Sequence, residues 1–244
     1  MFFYQFIGKL RLQYPLTKYV VRRMSNEMSL KRPVLYGDEA SPPTRFVMIT
    51  AQLLGVDLHF HLIDLFKGDH KTDFYKKINY LQKVPALSID GGTICDSHAI
   101  VLYLCRRSET QELYPTDDMM RAKVDQMLYF DATTLFPIDS AILSEYFAGK
   151  WPADEDKVSQ WYSAIDYLET QLRNNKWLTG DKMQLCDICC ALTMSSLGIL
   201  FPPLERHVKI KKWMENMDEL SCFKINRHGL ERMRFFIKQY GPAN

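Results

Sequence analysis

The chain has 244 residues, of which 47% are hydrophobic, 13% aromatic and 25% charged, a globular composition that excludes collagen-like, mucin-like and wholly disordered chains. A chain this long holds one large domain or two small ones and buries roughly 70–75% of its unfolded surface, so its core needs neither disulfides nor a structural metal. The net charge of +2 is unevenly spread: Lys9, Arg11, Lys18, Arg22 and Arg23 fall in an acid-free opening segment, and the remainder is mildly acidic, with no basic stripe for nucleic acid.

The opening segment, Met1 to Arg23, is aromatic and basic, which fits an organelle-targeting peptide or an extension from a start codon upstream of Met24. Residues 1–28 are therefore taken as a leader outside the fold. Pro33-Val34-Leu35-Tyr36 predicts a strand, and Phe46, Ile49 and Leu53 predict a helix over Arg45 to Leu54 that stops at Gly55. Leu58 to Leu62 alternates with period two, as a half-buried strand does. After an amphipathic piece at Phe74 to Ile78, Val84 to Ile89 and Thr93 to Cys95 flank Asp90-Gly91-Gly92 and predict a hairpin. Asp96-Ser97 then caps an apolar-periodic helix through Leu104. The order β-α-β-α-β-β-α over residues 31–108 is an α/β domain.

Residues 109–117, polar and containing Pro115, read as a linker. From 118 to 244 the periodicity is helical throughout, with stripes at Val158, Trp161, Ile165, Leu168 and Leu172, at Leu192 to Leu200, and at Trp213, Met217 and Leu220. The longest uncharged stretch, Ile188 to Leu204, is 17 residues long and ends in two prolines, too short to span a bilayer. The six cysteines fall mostly in apolar runs and read as reduced thiols of a cytoplasmic protein. Cys186 and Cys189 are spaced like half a zinc site, but no second pair follows, so no metal site is expected; His59 and His61 likewise lack a third ligand.

Three short motifs carry chemistry. Ser41 precedes Pro42-Pro43 at the first helix N-terminus, where a hydroxyl can serve an anion or simply cap the helix. Val84-Pro85 is either an ordinary turn or a cis bond that presents the valine backbone to a peptide-like ligand. Asp96-Ser97 either binds a carboxylate or caps its helix.

Taken in order, these motifs ahead of an all-α half resemble the glutathione S-transferases, specifically the insect delta/epsilon class, over about Lys31 to Tyr240. The resemblance implies a thioredoxin-like domain followed by a helical domain, a homodimer, and glutathione as co-substrate. It implies that Ser41 stabilises the glutathione thiolate and that His70, Gln82, Val84, Pro85, Asp96, Ser97 and His98 bind glutathione. A thiol of ordinary pKa near ~8.5 becomes a better nucleophile when a donor and a helix N-terminus favour its anion. Some positions depart from the family: Gln82 stands for a histidine, His98 for an arginine, and Gln184 for the usual threonine cap, while Asp187 is kept as a structural carboxylate.

Asp38 to Pro43, Leu65-Phe66-Lys67-Gly68 and Asp96 to Ile100 further resemble the noppera-bo-type epsilon transferases linked to ecdysteroid biosynthesis. That resemblance implies a steroid-adapted pocket, with Asp139 bonding a steroid hydroxyl and Pro42, Leu65, Phe66, Phe136, Ser140 and Leu143 around it. A carboxylate in an apolar pocket demands a donor, which favours a hydroxylated ligand; the alternative is a solvated Asp139. The competing functions are a detoxifying epsilon transferase and a non-catalytic ligand-binding protein on the same fold.

Overall fold

The computed structural model describes residues 32–108 and 112–242; the expected leader and the start of the expected linker lie outside the described residues. Strand β1 (Val34–Gly37) is followed by α1 (Pro42–Leu53), which begins three residues before the predicted Arg45. Proline fits the first helical turn because its missing N–H has no partner there in any case. Strand β2 (His59–Leu62) runs parallel to β1 at the sheet edge, so only Phe60 packs against the core.

A single 3-10 turn (Asp69–Lys71) and the short α2 (Asp73–Ile78) lead to the hairpin of β3 (Ala86–Ile89) and β4 (Gly92–Cys95). The predicted β3 loses Val84 and Pro85, which form a cis bond ahead of the strand. Ile89 pairs with Gly92 across a two-residue turn in which Asp90 and Gly91 both have positive φ, 52° and 78°. That is the combination a tight antiparallel turn demands of its central pair. The sheet order is β2-β1-β3-β4, with β3 antiparallel to both neighbours. Helix α3 (Ser97–Arg107) follows.

The second half is all helical among the described residues: α4 (Asp118–Phe130), a π-helical turn (Asp131–Leu135), α5 (Phe136–Phe147), α6 (Glu155–Gln171), α7 (Leu185–Leu197), α8 (Val208–Asp218), a 3-10 turn (Ser221–Phe223) and α9 (Lys224–Tyr240). Helix α1 packs on α3 within its own half and on α7 and α9 of the other. One core therefore runs through both halves, from Leu35, Phe46 and Ile100 to Trp161, Ile188 and Trp213. Almost every residue of α7 is buried, so its polar groups must find protein partners. Asp187 does so by accepting from Leu178 N (2.8 Å), Gln184 N (2.9 Å) and Trp213 Nε1 (3.0 Å), the structural role expected for it. All six cysteines are free. No described helix is long and apolar enough to cross a membrane.

Candidate active site

Ser41 is the N-cap of α1. Its Oγ accepts from Thr44 N at a long 3.5 Å, which leaves its own proton to donate elsewhere, and the residue is buried. The loop before it is held tightly. Asp38 is fully buried and accepts from Ala40 N (2.9 Å), Leu65 N (3.1 Å), Arg232 Nε (2.7 Å) and Arg232 Nη2 (3.1 Å). Buried Arg45, its pKa pulled down by burial to about 10, donates through Nη1 to the carbonyls of Glu39 (2.7 Å) and Ala40 (2.8 Å).

Val84 and Pro85, joined by a cis bond, line the same cleft as the start of α3. The loop before them is tied down by Tyr75 Oη and Asn79 Nδ2, which both donate to Lys83 O, at 2.8 and 2.7 Å. Asp96 has φ of +86°, a conformation few non-glycine residues adopt, and its Oδ1 accepts from Ala99 N (3.1 Å) as the cap of α3. Ser97 at the helix start is nearly buried, with its Oγ 3.4 Å from His98 Nδ1.

These three loops meet on one cleft of about 540 Å³, the first of them through Pro42 and Pro43, while Ser41 itself, the residue before them, stands just off the lining. Pro42, Val84, Pro85, Asp96, Ser97 and His98 line it from the α/β half, and Asp131, Phe136, Pro137, Ser140 and Ser144 line it from the helical half. One wall thus offers a helix N-terminus, the Ser97 hydroxyl and a strand-like backbone, and the other mixes the apolar Phe136 and Pro137 with the polar Asp131, Ser140 and Ser144. Such a cleft suits a small peptide-like anion on one side and an apolar molecule on the other.

The family model of the glutathione S-transferase N-terminal domain matches residues 35–112, and that of the C-terminal domain matches residues 132–220. Glutathione S-transferase 1 of Manduca sexta is 31% identical over 195 residues, covering 78% of this chain and 89% of that protein. The chain belongs to the glutathione S-transferase family. An epsilon-class glutathione S-transferase from the housefly, Musca domestica, superposes with a TM-score of 0.81 at 28% identity, over 87% of this chain and 100% of that one. A glutathione transferase homolog from Drosophila mojavensis, solved with bound glutathione, gives 0.82 at 26% identity, over 87% of this chain and 99% of that one. The enzyme is thus a transferase of the family that uses glutathione as co-substrate, and its relatives include insect delta- and epsilon-class members.

Several predicted residues of the transferase stand away from the cleft lining. Asp139 is buried within the helical half, against Ser196 and the Leu197 amide and within reach of the Arg45 charge; burial pushes its pKa up to about 8. It is neither solvated nor on the cleft wall, because it lies on the α7 side of α5 while Ser140 and Ser144 take the cleft side. Leu143 is buried in the core. Phe66 stacks on Phe236 of α9, centroids 3.3 Å apart, and meets Phe147 edge-on, so it belongs to the contact with α9, while Leu65 donates its backbone N–H to Asp38 and is not on the lining. Gln82 turns its amide to His70 O (3.1 Å), and burial lowers the His70 pKa; both border the cleft loop without lining it. Sequence reasoning missed Asp131, Thr193 and Cys189, all on the lining, because no local pattern links them. A π-helical turn carrying Asp131 is a signal only the backbone gives.

Proposed function

We propose that this transferase binds glutathione along the α/β wall of the cleft and uses Ser41 to hold its thiol as the thiolate, for attack on an apolar electrophile seated against α5. The observation that supports the reading is the convergence of three separate loops, those of Pro42-Pro43 directly after the Ser41 cap, Val84-Pro85 and Asp96-Ser97, on one cleft whose far side includes Phe136, Pro137 and Ala141. In this reading Val84 pairs with the glutathione backbone and Asp96 and Ser97 hold its γ-glutamyl end. The helix N-terminus and the Ser41 proton both favour the anion, and fixing the two reactants in one cleft supplies proximity. A homodimer in the cytoplasm is part of the same proposal, drawn from the family.

A steroid substrate in insect ecdysteroid biosynthesis is the narrower reading. It no longer has Asp139 to hold the steroid, and the hydroxyls of Ser140 and Ser144 are the groups left on the α5 wall for a hydroxylated apolar ligand. The test is conjugation of a generic aromatic electrophile by the wild type and Ser41→Ala, with a 3-hydroxysteroid as competitor. Turnover falls by about 10²-fold in the variant, the scale of losing one donor to a developing anion. Equal turnover in both proteins contradicts the role of Ser41; tight steroid inhibition of the wild type supports the steroid reading, and its absence supports a detoxifying transferase.

A further inference from the structure

His98, Asp131 and Cys189 meet at the cleft, although they come from α3, the π-helical turn and α7. One ligand atom from each lies within 4.8 Å of the other two. His98 Nε2 is buried without a hydrogen bond, although Asp131 Oδ2 lies 3.3 Å from it. The spacing in sequence pairs Cys189 with Cys186; the fold instead turns its thiol toward an imidazole and a carboxylate, while Sγ also donates to Cys186 O (3.4 Å).

We propose that His98, Asp131 and Cys189 form a zinc site on the cleft wall. Tetrahedral zinc with bonds of ordinary length separates its nitrogen, oxygen and sulfur ligands by about 3.3–3.6 Å. The imidazole and carboxylate already stand at that separation, and the thiol needs a shift of about 1 Å to join them. A set of one thiolate, one imidazole and one carboxylate selects zinc over calcium or magnesium, which prefer oxygen alone. The atoms behind the ligands are arranged to orient them. Thr193 Oγ1 donates to Asp131 Oδ1 (2.8 Å), which leaves Oδ2 for the cation. His98 Nδ1 faces Ser97 Oγ (3.4 Å) and Asp96 Oδ1 (4.0 Å), oxygens placed to accept from the ring nitrogen that does not meet the cation.

On binding, the thiol proton of Cys189 passes to the buffer as the sulfur–zinc bond forms, and the two anionic ligands balance the charge of the cation. Three protein ligands leave the fourth position of the zinc for water or a ligand. The site depends on a histidine at position 98, where the family resemblance gives an arginine, which cannot ligate. It does not depend on what the transferase conjugates, because metal binding is read without turnover.

The experiment titrates the purified, metal-free full chain with Zn²⁺ against a chromophoric chelator, and separately with Co²⁺ while following the thiolate-to-cobalt absorption band. The expected result is one equivalent of zinc and a cobalt band that Cys189→Ser removes. In that variant zinc affinity drops by more than the roughly 10- to 100-fold that an outer partner is worth. His98→Arg, at a partly exposed position, removes zinc binding and tests the site even if the buried cysteine variant fails to fold. Cys95→Ser, a thiol elsewhere, keeps both signals. Absence of stoichiometric binding, or a cobalt band and zinc affinity unchanged in Cys189→Ser and His98→Arg, overturns the proposal.

Discussion

Asp139 and Asp187 are both buried carboxylates of the helical half, and their neighbours separate them. Three N–H donors surround Asp187, so burial raises its pKa only to about 6, whereas Asp139 has fewer partners and is pushed to about 8. An acid whose pKa is higher in the folded than in the unfolded state stabilises the fold while it is protonated. That contribution is complete below the unfolded value near ~4 and is lost as pH rises toward about 8. Each pH unit within that window costs up to ~1.4 kcal/mol. Asp139→Asn, which mimics the protonated form, therefore gains stability relative to the wild type as pH climbs from 5 to 8, measured by urea denaturation across that range. If the Arg45 charge dominated instead, the wild type would gain on the variant over the same range.

At the scale of elements, α9 is the strap that fixes the Ser41 loop. Gly229 lets this helix approach so closely that a Cβ there would meet Glu39 O and the Arg45 side chain. Gly229→Ala gains about 1 kcal/mol of helix propensity and loses about 1–3 kcal/mol to overpacking. A backbone carbonyl cannot step aside, so the loss wins, and thermal unfolding shows a Tm lower by a few degrees. Arg232 completes the strap through its fork on Asp38 and a 3.3 Å ion pair to Asp64. Arg232→Met leaves the fully buried Asp38 carboxylate without its hydrogen-bonded counter-charge, with only the Arg45 charge nearby, which costs about 3 kcal/mol. The same variant loosens the loop ahead of Ser41, so kcat falls while KM for the electrophile changes little; unchanged stability and kcat would contradict the strap. None of this was legible in the sequence, because Arg232 and Asp38 are 194 residues apart and neither belongs to a local motif. The caps at Ser41 and Asp96 and the turn at Asp90-Gly91 were legible, since each is decided by residues within four positions.

For the whole molecule, alternating and helical periodicities predicted a β/α half followed by a helical half, and the sheet, the cleft between the halves and the family agree with that order. The α/β wall of the cleft was readable because its motifs sit at loop ends. The helical wall was less so, because a helix places every third or fourth residue on one face and a sequence cannot say which face looks at the cleft. Ser140 and Asp139 are neighbours in the chain, yet one lines the cleft and the other is buried off it. The central claim is that Ser41 makes the glutathione thiol an anion at neutral pH. The direct measurement is a pH titration of thiolate absorbance for glutathione bound to the wild type and to Ser41→Ala. The account predicts a bound thiol pKa well below its free value of ~8.5 in the wild type, returning toward that value in the variant; the same lowered pKa in both proteins would contradict it.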